Sequence, residues 1–138
     1  MYLLDTNVVS ELRKARAGRA PAKVAAWAAK APAECLFVSV ITIQELEIGI
    51  LLAERRDPPQ VAILRTWLED HVLPAFADRV LPVDMLVARR SAALHVPDPR
   101  PVRDALIAAT ALVHGLTLVT RNVADFEPTA AKILDPWS

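Results

Sequence analysis

At 138 residues the chain is long enough to bury a hydrophobic core within a single domain. Apolar residues make up 54% and charged residues 23%, with only three glycines, a balance that excludes a disordered or fibrous chain. The formal net charge is zero, so the bulk balance does not vote for a polyanionic partner.

Tyr2 to Asp5 reads as a first buried strand, stopped by a carboxylate, and Asn7 to Lys14 as a short helix. A basic island of Arg13, Lys14, Arg16 and Arg19 follows. Pro21 to Lys30 is alanine-rich, with Pro21 suited to a first helical turn. Cys35, the one cysteine, opens the apolar run CLFVSV and is expected to be a buried structural thiol. A single cysteine leaves no disulfide framework and suits a reducing cytosol. Leu36 to Val40 is the second predicted strand, and Thr42 to Arg56 and Pro58 to Val72 are helices.

Val80 to Asp84 is a third strand, with a helix over Asp84 to Leu94. The proline-dense VPDPRPVRD interrupts, and there Asp98 is expected to cap a helix that Pro99 begins. Pro101 to His114 is helical and ends at Gly115. Leu116 to Thr120 is a fourth strand, and Lys132 to Leu134 adds a fifth at an edge. These strands are rich in Val, Leu and Ile without strict alternation, as expected when helices cover both faces of a parallel sheet. The order predicts one α/β domain over residues 1–138, an α/β/α sandwich around a central parallel sheet of four or five strands. Asp5 and Asn7 break the first apolar stretch and no basic segment precedes it, so a signal peptide is not expected. The apolar run at Ile48 to Ala53 is too short to span a bilayer, and a cytoplasmic location without membrane contact is expected.

In open parallel sheets, ligands bind outside the carboxyl ends of the strands. Asp5, Asp84, Thr120, Arg121 and Asn122 fall at such ends. Asp5 alone is explained as well by helix capping as by ligation. Glu45 carries more information, because its helical neighbours Ile41, Ile48, Gly49 and Leu52 leave its carboxylate on an apolar stripe. An unpaired buried charge costs several kcal/mol by the magnitudes for isolated ions, so a cation or an arginine is needed nearby. Glu47 points about 200° away on the same helix, so only one of the two faces a given site. Gly49, a turn after Glu45, favours Glu45 by leaving room for close approach. Asp104 repeats the pattern beside Ile107, Ala108 and Ala111, although an Asp in a first turn also gains from the helix dipole. Asp84 reads as a cap, and Asn122 and Asp125 suit a turn. His71, His95 and His114 stand apart, and no CxxC, glycine-rich phosphate loop or GxSxG occurs.

The segments LLDTNVVSEL, SVITIQELEIGI and VRDALIAATALVHGLTLVTRNVADF, in this order and with a closing DPW, resemble the PIN-domain family, specifically the VapC-type ribonuclease toxins of type II (VapBC) toxin–antitoxin pairs. The resemblance implies that Asp5, Glu45 and Asp104 are the core catalytic acids and ligands of Mg2+ or Mn2+. The family's fourth acidic position falls on Asn122, and Asp125 three residues later can restore the missing charge directly or through water. Thr6 and Thr120 match hydroxyl positions that order the cluster. The chemistry expected is hydrolysis of an RNA phosphodiester by in-line attack of metal-activated water, leaving 5′-phosphate and 3′-hydroxyl ends. Arg103 and Arg121 are candidates for phosphate contact. The resemblance further implies inhibition by a cognate VapB-type antitoxin, a homodimer or a larger hetero-oligomer with it, and DNA contact only through the antitoxin. Other readings are a weakly or non-catalytic PIN module in a DNA-binding autoregulatory complex, a DNA-directed nuclease of this fold, and a receiver domain with Asp84 as phosphoacceptor.

Overall fold

The computed structural model describes residues 1–138. Five strands, β1 (Tyr2–Leu4), β2 (Leu36–Ser39), β3 (Val80–Leu81), β4 (Thr117–Val119) and β5 (Ile133–Leu134), form one sheet in the order β3-β2-β1-β4-β5. Every neighbouring pair is parallel. Leu3 faces Phe37 on one side and Leu118 on the other, so β1 is paired along both edges. Side chains alternate across a strand, and Leu3 and Leu4, on opposite faces of β1, are both fully buried. Leu4 joins Val8, Val38, Leu46 and Leu68 in one core, while Leu3 joins Ile107, Ala108, Leu118 and Phe126 in the other. Two covered faces are the reason the strand sequences show no polar alternation.

The chain moves outward from β1 through β2 to β3, then returns to place β4 on the other side of β1. The reversal puts a topological switch point between the carboxyl ends of β1 and β4, where open α/β sheets form their crevice. Asp5 and Thr120 are the residues directly beyond those two strands.

Helices start where the strands stop. Asp5 is the N-cap of α1 (Thr6–Arg16). Ser39, the last residue of β2, caps α3 (Val40–Glu54) by accepting from the Ile41 amide at 3.0 Å. That contact turns Val40 into the helix rather than extending the strand. After α2 (Ala22–Lys30) and α4 (Pro58–Trp67), the chain makes a wider helical turn over Leu68–Val72 and a further turn, α5 (Leu73–Ala75). The expected helix ending at Val72 thus continues to Ala75. Asp84 caps α6 (Met85–Leu94), accepting from the Val87 amide at 2.9 Å, as expected. Next, α7 (Val102–His114) ends at Gly115, whose φ of +65° is the left-handed conformation that glycine adopts at least cost. The short α8 (Val123–Phe126) follows β4.

Three expectations change. Asp98 caps nothing: it is exposed in a bend, and α7 begins at Val102 behind Pro101. Pro99 and Pro101 disfavour helical backbone in the residues before them. Arg100 also ties this segment to the end of α6, donating from Nε to the Leu94 carbonyl at 2.7 Å. Cys35 is half-buried rather than buried, because it lies in the turn Ala33–Cys35 before β2 and not in the strand. The third strand is shorter than expected and ends at Leu81, where Pro82 has no amide to continue the ladder. No helix is long and apolar enough to cross a membrane.

Candidate functional site

Asp5 is 5% exposed, and its carboxylate is held from three directions. The Thr6 amide donates to Oδ1 at 2.8 Å, which is the helix cap. Thr120, at the end of β4, donates its hydroxyl to Oδ2 at 2.8 Å, and Asn7 Nδ2 reaches the same oxygen at 3.3 Å. Capping and site formation are therefore compatible, since one oxygen serves the helix and the other serves the crevice. Thr120 is fully buried, and its hydroxyl also accepts from the Asn122 amide at 3.0 Å.

Glu45 comes from α3. Thr6 donates its hydroxyl to Glu45 Oε1 at 2.7 Å, and Thr6 Oγ1 lies 3.2 Å from the buried Thr42 hydroxyl. On the outer side, Arg103 Nε stands 3.5 Å from Glu45 Oε2. Glu47 turns the other way and pairs with Arg65 of α4 at 2.6 Å. The choice between the two glutamates is thus made by helix geometry, with Glu45 facing the crevice. Gly49 is exposed and a Cβ there would meet nothing within 4 Å, so the space beyond Glu45 is open. A cleft of about 240 Å³ lies there, bounded by Thr6, Arg13, Glu45, Gly49 and Trp67.

Asp104 stands in the first turn of α7, half-buried. Its pKa is raised, first by burial and then by repulsion from Asp5, Glu45 and Asp125, with Arg103 opposing. Burial also raises the pKa of Asp5. The hydrogen bonds from Thr120 and Thr6 counter that rise, and Glu45 and Asp125 add repulsion to it. Four carboxylates from four elements thus share one electrostatic field: Asp5, Glu45, Asp104 and Asp125. Asn122 is exposed, its side chain does not cap α8, and as a neutral amide it adds no charge. Asp125, one turn along α8, carries the charge that Asn122 lacks.

No three of these carboxylates converge closely enough to ligate one ion directly. Their chemistry nonetheless fits a hard divalent cation that keeps part of its water shell. All the donors are oxygens, they repel one another, and hydroxyls hold two of them in place.

Residues 2–132 match the PIN domain family. The chain is 40% identical to the VapC ribonuclease Y4jK of Sinorhizobium fredii over 99% of its own length and 98% of that protein. It belongs to the PIN-domain family and is a VapC-type chain. Among solved structures, FitAcB from Neisseria gonorrhoeae superposes with a TM-score of 0.88 at 34% identity, covering 99% of both chains. A toxin–antitoxin complex from Klebsiella pneumoniae superposes with a TM-score of 0.66 at 26% identity, covering 100% of this chain and 99% of the other.

Within this VapC-type chain the structure adds residues that sequence reasoning passed over. Asn7 bridges Asp5 and the β4–α8 turn, since its Oδ1 accepts from the Arg121 amide at 3.4 Å. Thr42 backs the Thr6 hydroxyl from α3. Both had a visible signal, because each is a polar residue in a strand-to-helix junction that also carries a site residue or a helix cap.

Proposed function

We propose that this chain is the toxin of a type II toxin–antitoxin pair, an endoribonuclease dependent on Mg2+ or Mn2+ and restrained by a cognate VapB-type antitoxin. The observation that carries this reading is the buried Asp5, fixed by Thr120 across the switch point, repelled by Glu45 and Asp125 and itself repelling Asp104. A fold gains nothing from gathering repelling acids at a crevice unless a cation joins them. The relatives support the same reading, one being named as a ribonuclease and another as part of a toxin–antitoxin complex.

Asp5, Glu45 and Asp104 would hold the ion or its waters, with Asp125 adding charge at longer range and Asn122 a neutral oxygen. A divalent cation, when bound, lowers the pKa of an attacking water and offsets charge on the phosphoryl oxygens. The residues of the chain do the rest. Thr120 and Asn7 keep Asp5 in one orientation, Thr6 does the same for Glu45, and one of the carboxylates would take the proton from the attacking water. RNA, delivered along the open space beside Glu45 and Gly49, would be cut to 5′-phosphate and 3′-hydroxyl ends. An antitoxin segment occupying that space would exclude the substrate, and a homodimer or larger assembly with it, contacting DNA through the antitoxin alone, completes the expected partners. In this proposal residues 1–138 act as one unit in the cytoplasm.

Purified chain incubated with RNA and with DNA, in Mg2+, in Mn2+ and in EDTA, tests the reading. RNA cleavage that needs the cation and vanishes in Asp5→Asn is the expected result, and cleavage that survives Asp5→Asn overturns it. A second reading, a module that binds antitoxin without cutting RNA, is favoured by the Arg103–Glu45 pair, which neutralises part of the cluster. Normal antitoxin binding with no RNA cleavage in either cation would select it.

A further inference from the structure

We infer that Arg121 is an RNA phosphate-binding residue at the rim of the acid cluster, held in position by Trp137. The inference rests on the ribonuclease reading above and assigns the turn at 135–138 to the substrate site, although that turn lies outside the residues matching the PIN domain family.

Arg121 sits between Thr120, which holds Asp5, and Asn122. Its backbone amide is tied to the cluster through Asn7, which bonds Asp5 with its other end. Its side chain is tied from the opposite side. The guanidinium carbon lies 5.4 Å from the centre of the Trp137 ring, within the range of a cation–π contact. Trp137 is itself fixed. It is partly buried against the core that holds Leu4 and Val119, and its amide donates to Asp135 Oδ1 at 2.9 Å. Ser138 closes the same turn by donating its hydroxyl to Asp135 Oδ2 at 3.1 Å.

The charge of Arg121 is also uncommitted. The ion pairs of the chain use Lys14, Arg65, Arg79 and Arg103, and none uses Arg121. Arg103, the other arginine at the site, already faces Glu45. An exposed guanidinium with no carboxylate partner, stacked on Trp137 and carried by a backbone tied through Asn7 to Asp5, is suited to a phosphate on the strand that enters the site. Its planar fork matches phosphate oxygens, and stacking on an indole leaves its N–H edge free. Trp137 is a positioning residue in this arrangement, acting through Arg121.

The test is steady-state cleavage of a short fluorophore-labelled single-stranded RNA by the full chain in Mg2+, at several salt concentrations. Arg121→Ala is expected to raise KM by about tenfold or more, the scale of a charge-assisted hydrogen bond, while changing kcat little. The slope of log KM against log salt is expected to fall by about 0.7, one phosphate contact on a single strand. Trp137→Leu keeps an apolar side chain but loses the π face, and is expected to reproduce part of the KM rise. Trp137→Phe retains the face and should restore most of it. In the double variant the tryptophan change should add nothing to Arg121→Ala. A KM and salt slope unchanged by Arg121→Ala would overturn the inference, as would equal effects of Trp137→Leu with and without Arg121→Ala. Wild-type chain that cleaves no RNA overturns the ribonuclease reading and this inference together, whereas normal wild-type cleavage with an indifferent Arg121 overturns this inference alone.

Discussion

The Thr120 hydroxyl donates to Asp5 Oδ2 at 2.8 Å, joining residues 115 apart in sequence at the carboxyl ends of adjacent parallel strands. The Thr120 hydroxyl oxygen in turn accepts from the Asn122 amide, so one buried hydroxyl serves both the candidate metal-binding acid and the turn after β4. Thr120→Val removes both contacts while keeping the shape. It should cost about 1–3 kcal/mol of stability, the scale of leaving buried polar groups unpaired, and should lower kcat. Thr120→Ser should retain most of both, and denaturant unfolding with parallel cleavage assays checks the pair.

Stability should depend on pH through Asp5. Burial, together with the charge of Glu45 and Asp125, raises its pKa above the usual 3.8, so the folded state holds this proton more tightly than the unfolded chain does. The stabilisation is fully present below that usual value and is lost as pH rises through the raised one; Asp104 acts in the same direction. In EDTA, melting temperatures should therefore fall with rising pH from the acid side of this window, and Asp5→Asn should flatten that fall. Mg2+ at neutral pH should raise the melting temperature of the wild type but not of Asp5→Asn. A metal-free profile identical in the two proteins would contradict this account.

Glu45 and Glu47 should behave differently although they are two residues apart. Glu45→Gln leaves Thr6 and Arg103 facing a neutral group and should abolish most RNA cleavage with little change in fold. Glu47→Gln breaks a partly exposed pair with Arg65, which should cost no more than about 1 kcal/mol and leave cleavage intact. Measured kcat values and unfolding midpoints for the two variants separate the outcomes.

Arg103 stands 3.5 Å from Glu45 with about half its side chain exposed, so the pair contributes little to folding. Arg103→Gln should change stability by less than about 1 kcal/mol, because solvent screens such pairs. Removing a competing positive charge from the acids should also lower the Mg2+ concentration needed for half-maximal binding, as isothermal calorimetry would report. An unchanged or weakened Mg2+ affinity would show that Arg103 does not compete with the ion.

Much of the fold is legible in the sequence. Apolar runs of strand length alternating with longer periodic segments imply a covered parallel sheet, because only strands buried on both faces can dispense with polar alternation. Glu45 and Asp104 stood out for a related reason, as carboxylates on apolar helix faces carry a desolvation cost that local structure alone leaves unanswered. Asp98 misled because its local signal, an Asp before a Pro, was overruled by a later proline and by Arg100 reaching back to α6.

Sequence by itself determined which elements form and which acids demand an explanation, since both follow from spacing and transfer energetics along a single segment. Tertiary structure decided which of those acids meet. The order β3-β2-β1-β4-β5 places Asp5 beside Thr120, while Glu45 turns inward, Glu47 turns toward Arg65, and Asp125 comes near enough to act on Asp5. It also brings Trp137 over Arg121, a contact no local pattern announces. Such contacts depend on the relative placement of segments far apart in the chain, which packing of the two cores around β1 sets and spacing within one segment does not encode.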